Sequence, residues 1–220
     1  MTDGMEINWL GHAGFKIKAA DKIIYIDPFQ ISPGEPADII ITTHEHFDHC
    51  NPDDLKKIAS EHTVIIGNPQ CKDNVKEIPK KNAIFLKSGE TTEVKGIKIA
   101  AVPAYNVNKF REPGVVFHPK KDNKIGVIIE AGNERLYHAG DTDFIPEMKE
   151  LGELDYALIP VSGTYVMTAE EASSATEVIN PKIVIPMHYG NIVGNEDDAK
   201  KFKAKLEKSG IEVRILKKAK

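Results

Sequence analysis

The run Ala37-Asp38-Ile39-Ile40-Ile41-Thr42 is apolar and β-branched, and Thr43-His44-Glu45-His46-Phe47-Asp48-His49 follows it at once. An uninterrupted β-branched run of this kind reads as a central strand buried on both faces. Three imidazoles and a carboxylate are therefore delivered at the end of a rigid element, where loops turn side chains inward. His44 and His46 stand two apart, which in an extended segment puts them on one side. Asp48 and His49 enter from the turn leading to a helix that starts near Pro52. Neutral imidazole suits zinc, iron and copper, and a carboxylate adds the negative charge that holds a second divalent ion. The alternative, a solvated loop that happens to carry three histidines, sits poorly after a buried strand.

At 220 residues the chain suits one well-buried domain. Its 41% hydrophobic and 28% charged residues are ordinary for a soluble globular protein. A net charge of −4 gives no global attraction to nucleic acid or anionic membranes. No segment reaches the roughly 20 apolar residues of a membrane span, and Met1-Thr2-Asp3-Gly4 lacks the basic start of a secretory signal. Two cysteines, Cys50 and Cys71, are too few for a disulfide framework. A cytoplasmic protein acting on a small molecule is expected, with no membrane partner; a homo-oligomer is left open.

Short apolar runs at Ile7–Leu10, Gly14–Ile17 and Ile23–Ile26 predict a β-meander ahead of the buried strand. Asn51 caps a short helix carrying Leu55, Ile58 and Ala59. Further strands are predicted over 63–67, 83–86, 90–94 and 96–102, then a long loop from Pro103 to Asn123. Strands near 125–131 and 135–139, a helix near 144–151 and a buried strand at 155–160 follow. Thr168-Ala169-Glu170-Glu171 has the form of a capping box and opens a helix to about Ile179. A buried strand at 182–186, a helix near 196–207 and a strand near 211–216 complete the pattern. Two halves that each pass from meander to alternating helix and strand predict two facing sheets with helices outside.

Three later segments can complete a site begun at His44. In Tyr137-His138-Ala139-Gly140-Asp141-Thr142, Gly140 permits a tight turn and leaves Asp141 free to share its oxygens between two ions, with His138 packed or supporting. In Pro186-Met187-His188-Tyr189-Gly190 a buried strand again ends on a histidine, and the long loop contributes His118.

The set His44-x-His46-x-Asp48-His49, Gly140-Asp141-Thr142 and His188 resembles the ligand motifs of the metallo-β-lactamase-fold hydrolases. Trp9-Leu10-Gly11-His12-Ala13-Gly14-Phe15, Gly163-Thr164-Tyr165-Val166-Met167 and Pro186-Met187-His188-Tyr189 further resemble the branch related to ascorbate-6-phosphate lactonase and many uncharacterised metal-dependent hydrolases. The resemblance implies a single domain over 1–220, an α/β four-layer αββα sandwich of two mixed sheets flanked by helices. It also implies two divalent ions, zinc foremost and manganese or iron otherwise. His44, His46 and one further histidine would hold the first ion, Asp48, His49 and His188 the second, with Asp141 bridging. Relatives in this branch carry the further histidine soon after the strand that here ends Val102-Pro103-Ala104, where this chain has Tyr105-Asn106. His118, which lies 23 residues before Asp141, is proposed to replace it; otherwise Asn106 or water assists.

Such a site implies a hydrolase that activates water against a small ester, lactone or phosphorylated substrate. Asp48 would orient the water and pass a proton. His12, Tyr105 and Tyr165 are candidate substrate contacts, and Lys109, Arg111, Lys120, Lys121 and Lys124 would attract an anionic substrate. Two other readings remain: a nuclease or phosphodiesterase acting on RNA or nucleotides, disfavoured by the acidic balance, and a non-catalytic metal-binding or regulatory protein.

Overall fold

The computed structural model describes residues 4–219; Met1-Thr2-Asp3, considered above for a secretory signal, and Lys220 lie outside the described residues. The first sheet has the order β1 (Glu6–Gly11), β2 (Gly14–Ala19), β3 (Lys22–Ile26), β4 (Ile39–Thr42), β5 (Val64–Gly67), β6 (Asn82–Phe85). Its first three strands are antiparallel, and β3 to β6 run parallel. The second sheet is built from β7 (Thr91–Val94), β8 (Ile97–Pro103), β11 (Ile125–Ala131), β12 (Glu134–His138), β13 (Tyr156–Pro160), β14 (Ile183–Met187) and β15 (Glu212–Val213). It runs from β15 at one edge to β7 at the other, with β12 to β15 parallel.

Strand alternation divides the apolar residues between two cores. Ile24, Ile26, Ile39, Ile41, Val64 and Ile66 join the large core that both sheets share. Tyr25, Ile40 and Ile65, the intervening residues, pack on the other face with Leu55 and Ile58, on and just after α1 (Pro52–Lys56). Ala172, Ala175 and Ile179 of α2 (Ala169–Ile179), with Ala199 and Phe202 of α3 (Glu196–Lys205), join the large core beside β13 and β14. The layers are therefore helix, sheet, sheet, helix, as predicted. The capping box is present, with Thr168 accepting from Glu171 N and Glu171 reaching back to Thr168 N. Among the described residues no helix is long and apolar enough to cross a membrane.

Three local expectations are corrected. The predicted loop at 103–123 contains a hairpin, β9 (Phe110–Glu112) with β10 (Val115–Val116), and a 3-10 turn at Lys120–Asp122. Its strands are short and β9 is fully exposed, so no apolar alternation marks it in the sequence. The helix predicted near 144–151 is a 3-10 turn, Pro146–Glu150, followed by Gly152 at φ +74°. The last strand pairs only over Glu212–Val213 at the sheet edge.

Candidate metal centre

Parallel strands end on the same edge of a sheet, and here the C-terminal ends of both parallel sets meet. β4 leads into Thr43-His44, β12 into Gly140-Asp141 and β14 into His188. Backbone bonds tie the two edges together: Ile125 N donates to Thr43 O at 3.3 Å, and His188 N to His12 O at 2.8 Å. Gly140 is required for the turn that presents Asp141. Its φ is +64°, and a Cβ there would stand 2.6 Å from the Ile125 carbonyl oxygen.

Two groups of donors face each other across Asp141. His44, His46 and His118 form one, with His44 Nε2 3.1 Å and His118 Nε2 3.4 Å from His46 Nδ1. Asp48, His49, His188 and His12 form the other. Asp141 Oδ2 lies 3.9 Å from His44 Nε2 and 3.6 Å from His118 Nε2, whereas Oδ1 lies 3.3 Å from His49 Nε2 and 3.2 Å from His188 Nε2. His49 Nε2, His188 Nε2 and Asp141 Oδ1 are all buried without a hydrogen-bond partner. Buried polar atoms are otherwise almost always paired. Three of them converging within ligand distance, with imidazole and carboxylate chemistry, fit a divalent cation such as zinc.

A second layer of contacts aims these rings. Asp27 Oδ2 lies 2.7 Å from His49 Nδ1 and accepts from Thr43 Oγ1 at 2.6 Å, while Oδ1 accepts from Thr43 N at 2.8 Å. Thr43 Oγ1 in turn meets His44 Nδ1 at 3.1 Å, Asn106 Oδ1 meets His118 Nδ1 at 2.9 Å, and Ser162 Oγ meets His188 Nδ1 at 3.1 Å. With each Nδ1 held, the four Nε2 atoms are the ones turned inward. His46 is the exception: Nδ1 faces inward, and Nε2 lies 3.4 Å from Lys124 Nζ. Asp27 and Ser162 were not apparent in the sequence. Asp27 follows β3 directly and precedes Pro28, and β3 pairing in parallel with β4 places it beside Thr43.

Charge follows the same geometry. Burial, reinforced by His49, holds His44 well below the ordinary histidine range, and burial pulls His118 down to about 4, so both present lone pairs at neutral pH. Burial opposes charge on His49, but Asp141, Asp48 and Asp27 raise it well above the usual value. Burial likewise opposes ionisation of Asp48, yet His49 and His12 hold it down to about 2. Asp141 is kept well below the carboxylate range, against burial, by His188 and His49.

A cavity of about 300 Å³ opens over this centre. His46, Asp48, His118 and Asp141 are at its base side, and Phe47, Phe117, Tyr165 and Ile192 supply the remaining lining. Of the expected substrate contacts, Tyr165 lines it. His12 is fully buried, holds Asp48 Oδ2 at 2.9 Å and does not line the cavity; its left-handed φ of +52° in the β1–β2 turn directs the ring inward. The Tyr105 hydroxyl likewise turns from the cavity, donating to Glu147 Oε2 at 2.9 Å, and the residue is not among its lining. His138 is structural, with Nε2 donating to Ala13 O at 2.9 Å. The loop cations are largely paired, Lys109 with Glu171 at 2.7 Å, Lys120 with Glu147 at 2.7 Å and Lys124 with Glu45 at 2.6 Å.

The chain matches the Beta-lactamase superfamily domain over residues 6–188. It is 31% identical over 230 residues to a UPF0173 metal-dependent hydrolase of Methanopyrus kandleri, covering 96% of each chain. A UPF0173 metal-dependent hydrolase of Nanoarchaeum equitans is 32% identical over 217 residues, covering 97% of each. Among solved structures, a metal-dependent hydrolase from Parabacteroides distasonis superposes with a TM-score of 0.84 at 33% identity, covering 97% of this chain and 94% of that one. With the fold, the histidine and aspartate cluster and these relatives in agreement, the chain belongs to the β-lactamase superfamily and is one of its metal-dependent hydrolases.

Proposed function

We propose that this protein is a dinuclear hydrolase, with zinc as the resident metal, that cleaves a small ester, lactone or phosphorylated compound. The observation that carries this reading is Asp141, whose two oxygens face two separate histidine groups. His44, His46 and His118 would hold one ion, Asp48, His49 and His188 the other, with Asp141 shared. When bound, the pair supplies Lewis acidity that polarises a carbonyl or phosphoryl oxygen and lets water ionise near neutral pH.

The chain's own residues prepare that chemistry. Asp27, Thr43, Asn106 and Ser162 fix the rings, so the ligand set needs little reorganisation when the ions arrive. Asp48 lines the cavity, is locked by His12 and stays ionised at any physiological pH. It is suited to orient the attacking water and hand its proton onward to the leaving group. A cytoplasmic setting belongs to the proposal, supported by two free, buried thiols at Cys50 and Cys71.

The test is metal content by elemental mass spectrometry, on protein purified without added metal, for wild type and His118→Ala. Two zinc per chain, falling in the variant, is the expected result. A single ion in wild type would overturn the dinuclear reading, and undiminished metal in the variant would remove His118 from the ligand set.

A further inference from the structure

The lining above the metal centre is apolar and carries no fixed cation. Phe47 is 61% exposed and Ile192 39% exposed, and both line the cavity. Phe117 and Tyr165 form a continuous aromatic wall, their rings edge to face with centroids 4.8 Å apart. Phe47 is braced in turn by Phe29, 5.6 Å away and also edge to face. No Lys or Arg is among the described residues that line the cavity. Of the five loop cations, Lys109, Lys120 and Lys124 are paired with Glu171, Glu147 and Glu45, and neither Arg111 nor Lys121 lines the cavity. A remote phosphate or carboxylate on a substrate would thus be desolvated against aromatic rings with nothing to pair it, which is costly. At roughly 30 Å³ per water-sized group, the space accommodates a molecule on the order of ten such groups.

We propose that the cavity selects an uncharged acyl substrate, an ester or lactone whose acyl part bears a phenyl-sized apolar group, and rejects one with a remote anionic group. This rests on the hydrolytic reading above and narrows its substrate class. Water adds to the acyl carbon, and the bond from that carbon to the leaving oxygen breaks. The leaving alcohol takes one proton of the water, and the other is released as the acid product ionises. Phe117, Tyr165, Phe47 and Ile192 act as specificity-determining residues by burying the apolar group, while the charged residues of the site deal only with the reacting carbonyl.

Binding of three hydroxamates to the zinc-loaded protein, followed by titration calorimetry, tests this. The chelating head occupies the metal centre and the tail reports on the cavity. The tails are propanoyl, 3-phenylpropanoyl and the anionic succinyl. Burying a phenyl ring should tighten binding about tenfold or more relative to propanoyl, and the succinyl tail should bind no better than propanoyl. Phe117→Ala and Ile192→Ala should each erode the phenyl advantage over propanoyl several-fold. Ile192→Lys, at an exposed loop position, should shift preference toward the succinyl tail. Equal affinities for the three tails, or tightest binding of the succinyl tail by wild type, would overturn the selectivity while leaving the hydrolase reading intact. Failure of the protein to load zinc at all would defeat both.

Discussion

Asn106 Oδ1 accepts from both the backbone nitrogen and Nδ1 of His118, each at 2.9 Å. The residue that stands beside the expected ligand position is therefore the residue that aims His118. The amide cannot turn to face an ion without releasing His118, because its Nδ2 is also held, by Asp143 Oδ1 at 3.2 Å and the Tyr165 carbonyl at 2.9 Å. One buried amide thus joins the loop histidine to the Asp141-Thr142-Asp143 turn and to the cavity wall.

Asn106→Leu should weaken zinc binding at the His44, His46 and His118 group by roughly 10–100-fold, the usual cost of losing a partner that orients a ligand. Asn106→Asp retains an acceptor for His118 Nδ1 but sets its second oxygen against Asp143 Oδ1 and the Tyr165 carbonyl, so it should restore only part of that affinity. Chelator competition measures both. Equal zinc affinity in wild type and Asn106→Leu would show that His118 does not depend on this contact.

Asp27 carries a larger structural share. It is fully buried and satisfies Thr43 N, Thr43 Oγ1 and His49 Nδ1 together. Removing one partner of a buried charged pair typically costs about 3–5 kcal/mol. Asp27→Ala should lower the unfolding free energy of the metal-free protein, read from denaturant curves, by an amount in that range, and Asp27→Asn, which keeps one acceptor oxygen, by less. A loss under about 1 kcal/mol for Asp27→Ala, the level of one ordinary hydrogen bond, would show that the network relaxes around the change.

Much of this centre was legible from residues close together in the chain. His44, His46, Asp48 and His49 follow one buried strand, and Gly140-Asp141 and His188 each follow another, and the fold brings these strand ends together. The supporting residues were not legible, because their roles depend on pairing between distant segments. Asp27 reaches Thr43 through the parallel β3 and β4, and Ser162 reaches His188 through the parallel β13 and β14. The placement of Tyr105 depends on distant pairing in the same way. It adjoins the expected ligand position, but its backbone pairs with the Asp141 turn while its ring turns toward Lys120 and Glu147.

Zinc uptake should be linked to pH through His49. In the metal-free protein, burial disfavours its charge, but three carboxylates raise its pKa well above the ordinary value, so it holds a proton at neutral pH. An ion can use Nε2 only after that proton leaves. Calorimetric titration in two buffers of different ionisation enthalpy should therefore show about one proton released from this group per chain, and zinc affinity should fall as pH is lowered. The metal-free protein has the opposite sign. A raised pKa contributes stability that is complete below the unfolded value of about 6.5 and is lost as pH rises through the folded value. The stabilising increment from zinc should accordingly grow with pH, as read by melting curves with and without the metal. An increment independent of pH would show that His49 binds no ion.

Gly140 and Gly132 separate backbone strain from steric conflict. Both have positive φ, +64° and +60°, but a Cβ at Gly132 meets nothing within 4 Å, whereas one at Gly140 stands 2.6 Å from the Ile125 carbonyl oxygen. Gly132→Ala should cost about 1 kcal/mol, the price of left-handed backbone alone, and leave zinc content unchanged. Gly140→Ala adds a clash with a strand that cannot easily yield, because Ile125 is paired with Pro103 and its N–H with Thr43. Its cost should exceed that of Gly132→Ala by about 1–3 kcal/mol, the scale of overpacking in a tight interior. Because the adjacent Asp141 faces both histidine groups, the displaced turn should also lower zinc content, which denaturant unfolding and elemental analysis on the same samples can establish. Equal losses in the two variants, with zinc retained in both, would mean that the turn shifts without moving Asp141.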